Sequence, residues 1–117
     1  MNKFYCYHKC STCAKAKKWL NQNNVAYEEI EIVENPPDSA LLLHLISTKK
    51  HPIKYFFNTS GIRYRELNLK NKVSNLSDKQ ASELLASDGK LIKRPLMIDG
   101  SHFTCGFKDE VYEQEWL

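Results

Sequence analysis

The sequence predicts an α/β fold built on a mixed four-stranded sheet, and three observations carry that prediction. Runs with strand character lie near both ends, at residues 4–7 and 25–33 and again at 91–98 and 102–105. Helical stretches separate them in the order β-α-β, helices, β-β-α. A β-α-β crossover joins parallel strands in right-handed connection, whereas a tight hairpin joins antiparallel ones, so the sheet is mixed. At 117 residues the chain is expected to be a single domain. Its core falls in 1–35 and 90–117, with a helical insertion at 36–89.

Phe4-Tyr5-Cys6-Tyr7 alternates little and reads as a buried first strand, turning at His8-Lys9-Cys10. From Ser11 a helix presents Cys13, Ala16 and Leu20 on one face and Lys15, Lys18 and Gln22 on the other. Asn23-Asn24 is its C-terminal stop. Val25, Tyr27, Ile30 and Ile32 then give a second strand with glutamates on its outer side. Pro36-Pro37 ends that unit, and Asp38 or Ser39 caps a helix with Leu41, Leu42, Leu45 and Ile46 as its apolar stripe. Residues 53–57 form a short helix, and residues 62–69 another in which Ile62, Leu67 and Leu69 are candidates for burial. Ser77 and Gln80 spell a capping box for a helix that buries Ala81, Leu84 and Leu85 and stops at Asp88-Gly89. The strand at 91–98 is followed by Asp99-Gly100, a type I′ hairpin signal, and Gly106 bends the chain into a last helix carrying Val111, Tyr112 and Trp116.

The chemistry is concentrated at Cys10-Ser11-Thr12-Cys13, where the first strand gives way to the first helix. The first turn of a helix offers unpaired N–H groups and the positive end of the dipole, both of which favour a thiolate. Cys10 is therefore expected to have a lowered pKa and to be exposed, and Cys13, one turn in, to be placed to attack a mixed disulfide on it. The same spacing could be a zinc half-site or two inert thiols. The chain has no second C-x-x-C and no H-x-x-x-H, so no metal site is expected and the redox reading is preferred. Ser11 and Thr12 are candidates to hydrogen-bond the Cys10 sulfur, or simply a polar helix start. Arg94, before Pro95, is a candidate to stabilise the thiolate through space or a solvated charge. Cys6 and Cys105 read as small core residues, Cys105 with less certainty because the last strand can pass near the active loop. His8 could polarise Cys10 or sit at the surface.

The net charge of +3 is well short of a nucleic-acid footprint, so no direct nucleic acid is expected. No run approaches a signal h-region or a membrane span. A cytoplasmic protein without membrane contact is expected, and in that compartment a C-x-x-C is catalytic or sensing more often than architectural.

This order of elements, with C-x-x-C after the first strand and X-Pro starting the third, is the thioredoxin-like plan with a helical insertion. More specifically the chain resembles the family of ArsC-type arsenate reductases and the Spx and MgsR transcriptional regulators. Four blocks carry the likeness: residues 7–16 around the cysteines, 56–61 (Phe-Phe-Asn-Thr-Ser-Gly), 84–89 ending at Asp88-Gly89, and Lys93-Arg94-Pro95-Leu96. The resemblance implies that Pro95 is cis and that Cys10 matches the cysteine that attacks arsenate. In the reductases three arginines hold the oxyanion. Arg94 matches one, while Asn58 and Gly106 fall at the other two, with Arg63 or Arg65 as candidates to replace one. An arsenate dianion wants several bidentate donors, so these absences tell against efficient turnover.

The implied function is a thiol–disulfide oxidoreductase with Cys10 as nucleophile and Cys13 as resolving thiol, with arsenate reduction coupled to glutathione and glutaredoxin as one form of it. No bound cofactor is expected; glutathione with glutaredoxin, or thioredoxin, is the implied electron donor. The partners would then be a small thiol or oxyanion substrate and a redox protein. The alternative is a redox-sensing regulator of the Spx kind that binds the RNA polymerase α subunit through protein contacts. A third is a protein that keeps the fold without turnover.

Overall fold

β1 (Lys3–Cys6) is one of the two inner strands of the sheet, and its sequence explains why. Phe4, Tyr5 and Cys6 are all buried, as expected of a strand covered on both faces. The computed structural model describes all residues 1–117 and gives a four-stranded sheet in the order β2-β1-β3-β4. β2 (Glu28–Glu31) runs parallel to β1, with Tyr5 opposite Ile30. β3 (Leu96–Asp99) runs antiparallel to it, with Tyr5 opposite Leu96, and β4 (His102–Cys105) closes the hairpin. The expected fold class, a thioredoxin-like mixed sheet, is the one observed.

The chain divides into two units, Met1–Glu31 with Arg94–Leu117, and Ile32–Lys93. In the first unit α1 (Ser11–Gln22) and α5 (Asp109–Trp116) cover one face of the sheet. Their buried residues Cys13, Ala16, Trp19, Leu20, Tyr112 and Trp116 cluster with Phe4, Cys6 and Met97. Trp19 meets Tyr112 edge-on at 5.4 Å, and the Trp116 indole N–H donates to Thr104 Oγ1 at 3.0 Å, so the polar edge of that buried ring has a partner. Because side chains alternate along a strand, Tyr5, Leu96 and Cys105 project from the opposite face of the sheet. Cys105 is thus a buried thiol on the far side from Cys6 and Cys13.

In the second unit α2 (Ser39–Ser47) and α4 (Asp78–Ser87) pack together through Leu42, Leu45, Ile46, Ala81 and Leu85. Both helices start as their sequences predict. Asp38 accepts from the Leu41 N–H at 2.8 Å, and Ser77 with Gln80 completes both bonds of the capping box. Gly89 lies so close to the Ile32 carbonyl that a Cβ there would stand 2.1 Å from its oxygen, which only glycine avoids.

Four expectations are corrected. The second strand covers only Glu28–Glu31; Val25 and Tyr27 precede it and pack against the α1 cluster instead. α3 (Ile62–Glu66) ends early, with Asn68 in a left-handed conformation just beyond it, and Ile62 at its start is 71% exposed while Tyr64 is buried. Leu91 and Ile92 show strand composition but form a 3₁₀ turn and a single bridge from Ile92 to Phe57, so β3 begins only after Pro95. The hairpin loop has a positive φ at Gly100 alone, 64°, which is the type II′ pattern rather than I′, where both loop residues need it.

Candidate active site

Cys10 is the N-cap residue of α1, in extended conformation (φ −99°, ψ 117°) at the end of β1's turn, where its N–H donates to the Tyr7 carbonyl at 2.9 Å. The first turn of α1 contains no acidic residue, so no carboxylate competes for the helix N-terminus or repels an anion there. The Cys10 side chain makes no cap bond of full geometry. Burial by itself pushes its thiol up. The Cys13 backbone N–H, the Cys13 thiol and the Arg94 guanidinium, which both hydrogen-bonds the sulfur and adds its charge, outweigh that and bring it below the ordinary value. Cys10 is half-buried, open enough for a reagent to reach.

Cys13 sits one turn deeper and is 2% exposed. Its sulfur accepts from the Tyr7 N–H at 3.4 Å. Its thiol is driven far above the ordinary range, first by a hydrogen bond to Cys6, then by burial, and further by the neighbouring Cys10 sulfur. The pair is therefore asymmetric, an outer thiol whose pKa is lowered and an inner one whose pKa is raised. Both thiols are free.

Arg94 and Pro95 come to this site from the other end of the chain. Their peptide bond is cis, as the resemblance implies, and the Arg94 guanidinium stands 5.2 Å from the Tyr7 ring centroid. Pro95 is buried and its carbonyl accepts from the Gly106 N–H at 2.9 Å. Gly106, at a position where the resemblance would have an arginine, has φ 78° and contributes backbone only. Ser11 is exposed and Thr12 half-buried in the first turn of α1. His8 is turned to Glu31, 3.5 Å away.

Of the remaining candidates in the second unit, Arg63 holds Asp88 at 3.0 Å and Glu66 at 3.3 Å. These two carboxylates, Asp88 first, raise its pKa and neutralise its charge locally. No group of three or more histidine, cysteine or carboxylate side chains converges as metal ligands do. A groove lined by Lys15, Lys18, Trp19, Gln22, Phe107 and Asp109 follows α1 without including either thiol. Cys6, expected as a small core residue, is buried as such, and its thiol is also in hydrogen-bonding reach of Cys13, a contact that the sequence does not signal.

Residues 5–115 match the ArsC family. The chain belongs to the ArsC family. It is similar to YusI of Bacillus subtilis (strain 168), at 51% identity over 113 residues that make up 97% of this chain and 96% of YusI. It is also similar to the global transcriptional regulator Spx of Streptococcus agalactiae serotype V (strain ATCC BAA-611 / 2603 V/R), at 28% identity over 86% of this chain and 72% of Spx. Among solved structures, that described as a possible arsenate reductase from Streptococcus mutans UA159 superposes with a TM-score of 0.89 at 44% identity, covering 92% of each chain. This ArsC-family chain thus has relatives named as reductases and as regulators, and no helix in it is long and apolar enough to cross a membrane.

Proposed function

We propose that this ArsC-family chain is a thiol–disulfide oxidoreductase with Cys10 as nucleophile and Cys13 as resolving thiol. The observation that carries the reading is the asymmetry of the pair: a half-buried Cys10 sulfur held towards its anion by the Cys13 amide and Arg94, against burial, beside a Cys13 thiol that keeps its proton. The Cys10 thiolate attacks one sulfur of a small disulfide or glutathione mixed disulfide. One S–S bond forms on Cys10, the substrate bond breaks, and the departing thiolate takes a proton from water. The loss of the Cys10 anion removes one of the influences that kept Cys13 protonated. Cys13 then gives up its proton and attacks the Cys10 sulfur, releasing the second thiolate and leaving a Cys10–Cys13 disulfide for a dithiol donor to reduce.

A disulfide suits the site better than arsenate. Arsenate needs several charged or bidentate donors, and here Arg94 is one, Gly106 offers an N–H already bonded to Pro95, and Arg63 is engaged by two carboxylates. Glutathione, glutaredoxin and an NADPH-coupled readout, supplied with arsenate or with a glutathione mixed disulfide, test this directly. Turnover of the mixed disulfide is expected, abolished by Cys10→Ser, with Cys13→Ser accumulating a mixed disulfide on Cys10. Turnover indifferent to Cys10→Ser would overturn it.

A second reading is supported by the similarity to Spx over most of the chain. In that reading the same pair senses oxidants and the protein acts through the RNA polymerase α subunit. Capture by the purified α subunit, changed by oxidation and absent of any turnover, favours it over the enzyme.

A further inference from the structure

Cys6 is the thiol at this site that two-cysteine chemistry leaves unused. It closes β1, is 1% exposed, and lies in the same buried cluster as Cys13, with Cys10 packed against that cluster. The Tyr7 amide nitrogen is bonded to the Cys6 carbonyl carbon, and that amide donates to the Cys13 sulfur at 3.4 Å. The Cys13 sulfur therefore lies directly over the end of β1, where it is in hydrogen-bonding reach of the sulfurs of both Cys6 and Cys10. The three sulfurs do not converge as ligands of one metal ion would. They run in series from the half-exposed Cys10 to the sealed Cys6, with Cys13 between. A cysteine chosen only for its size needs apolar neighbours, not a thiol contact.

We infer that Cys6 is a second resolving thiol, which takes the disulfide over from Cys10 and returns Cys10 to its reduced form. The inference rests on the two-thiol reading above. The Cys6 sulfur attacks the Cys13 sulfur of the Cys10–Cys13 disulfide. The Cys6–Cys13 bond forms, the Cys10–Cys13 bond breaks, and its electron pair leaves on Cys10 as a thiolate. The Cys6 proton passes to solvent. One disulfide is lost and one is gained, so the step needs no further oxidant. Cys10 is the appropriate leaving group, since a thiolate departs faster the lower the pKa of its thiol. Despite its partial burial, the Cys13 amide and Arg94 stabilise that thiolate. The oxidising equivalents are then stored in the core, out of reach of small thiols, while Cys10 is free to engage a second small disulfide.

The chain carries its own peptide map for the test. Trypsin cuts after Lys3, Lys9 and Lys15, placing Cys6 on peptide 4–9 and both Cys10 and Cys13 on peptide 10–15. The full-length reduced protein is treated with one equivalent of diamide, blocked with N-ethylmaleimide in mildly acidic guanidinium, and digested without reduction. The expected product is peptide 4–9 linked to peptide 10–15 with the maleimide on Cys10. In Cys6→Ala the linked pair is lost and peptide 10–15 appears internally bridged. An internally bridged 10–15 alone in the wild-type protein, with maleimide on Cys6, would overturn the inference, as would a linked pair carrying its maleimide on Cys13. The absence of either bridge would overturn the two-thiol reading and this inference together. The wild-type map decides the matter even if Cys6→Ala fails to fold.

Discussion

The starts of α1 and α4 pose the same physical problem and solve it differently. Each leaves N–H groups without intrahelical acceptors. At α4 the Ser77 hydroxyl accepts from the Gln80 N–H and the Gln80 side-chain oxygen accepts from the Ser77 N–H, so two of these donors are satisfied within the chain. At α1 the cap position holds a cysteine whose sulfur draws on the Cys13 N–H without a cap bond of full geometry, and the first turn has no carboxylate. The difference teaches how a helix N-terminus is kept available: a weak capping residue is retained so that its anion can use the amides when chemistry requires it.

The largest expected effect that would test this contrast is Cys10→Ser. Serine is a strong N-cap, so this variant should lose all rapid iodoacetamide labelling at neutral pH and yet match or exceed the wild type in urea midpoint, by up to about 1 kcal/mol. A variant that is both inactive and clearly less stable would mean that the α1 start is already well capped. Next in size is Arg94→Gln. Without the guanidinium the Cys10 thiolate fraction falls about tenfold per unit that its pKa rises, and the pH profile of labelling should move upward accordingly. A profile that stays in place would leave the helix N-terminus and Cys13 as the whole source of the shift. At α4, Ser77→Ala should cost about 1 kcal/mol of stability, read by urea unfolding, without changing the rate of Cys10 labelling.

The smallest effect is a slope of stability with pH. Folding lowers the pKa of Cys10, with the Cys13 amide and Arg94 overcoming its burial. Between the folded value and the ordinary thiol value the unfolded chain binds more protons, so stability rises with pH across that window. The gain is complete above the unfolded pKa and is lost as pH falls through the folded one. Cys13 acts with the opposite sign: held protonated by Cys6, burial and Cys10, it lowers stability only above the ordinary thiol pKa. Relative to Cys10→Ser, reduced wild type should therefore gain stability as pH rises towards the ordinary thiol pKa. A flat difference between the two would remove the linkage.

Local signals in the sequence were enough where one residue type forces one backbone state. Ser77 with Gln80, Asp38 before the leucine stripe, and the strand-to-helix passage at Cys10 all appear where spacing puts them. The site residues Cys10, Cys13 and Arg94 were named from the sequence, although only the fold brings Arg94 across from near residue 95 to the first helix. What failed were assignments that depend on where an element stops. The run expected over 62–69 stops at Glu66 with a left-handed Asn68 beyond it, and Leu91 and Ile92 form a 3₁₀ turn and a single bridge to Phe57 where their composition suggests a strand. Cys6 reads in the sequence as a small core residue, and its contact with Cys13 is not legible there for a different reason. Its meeting with Cys13 is set by the passage of α1 over the end of β1, and a seven-residue spacing across a turn carries no such signal.

The packing of α1 and α5 has a practical consequence. The chain has two tryptophans, and both, Trp19 and Trp116, lie in the cluster that contains Cys6 and Cys13. Disulfides quench indole emission more strongly than thiols do, so the intrinsic fluorescence of the unlabelled protein should report in real time when a bridge closes beneath the helix. A stopped-flow trace could then follow successive bridging steps without any introduced dye.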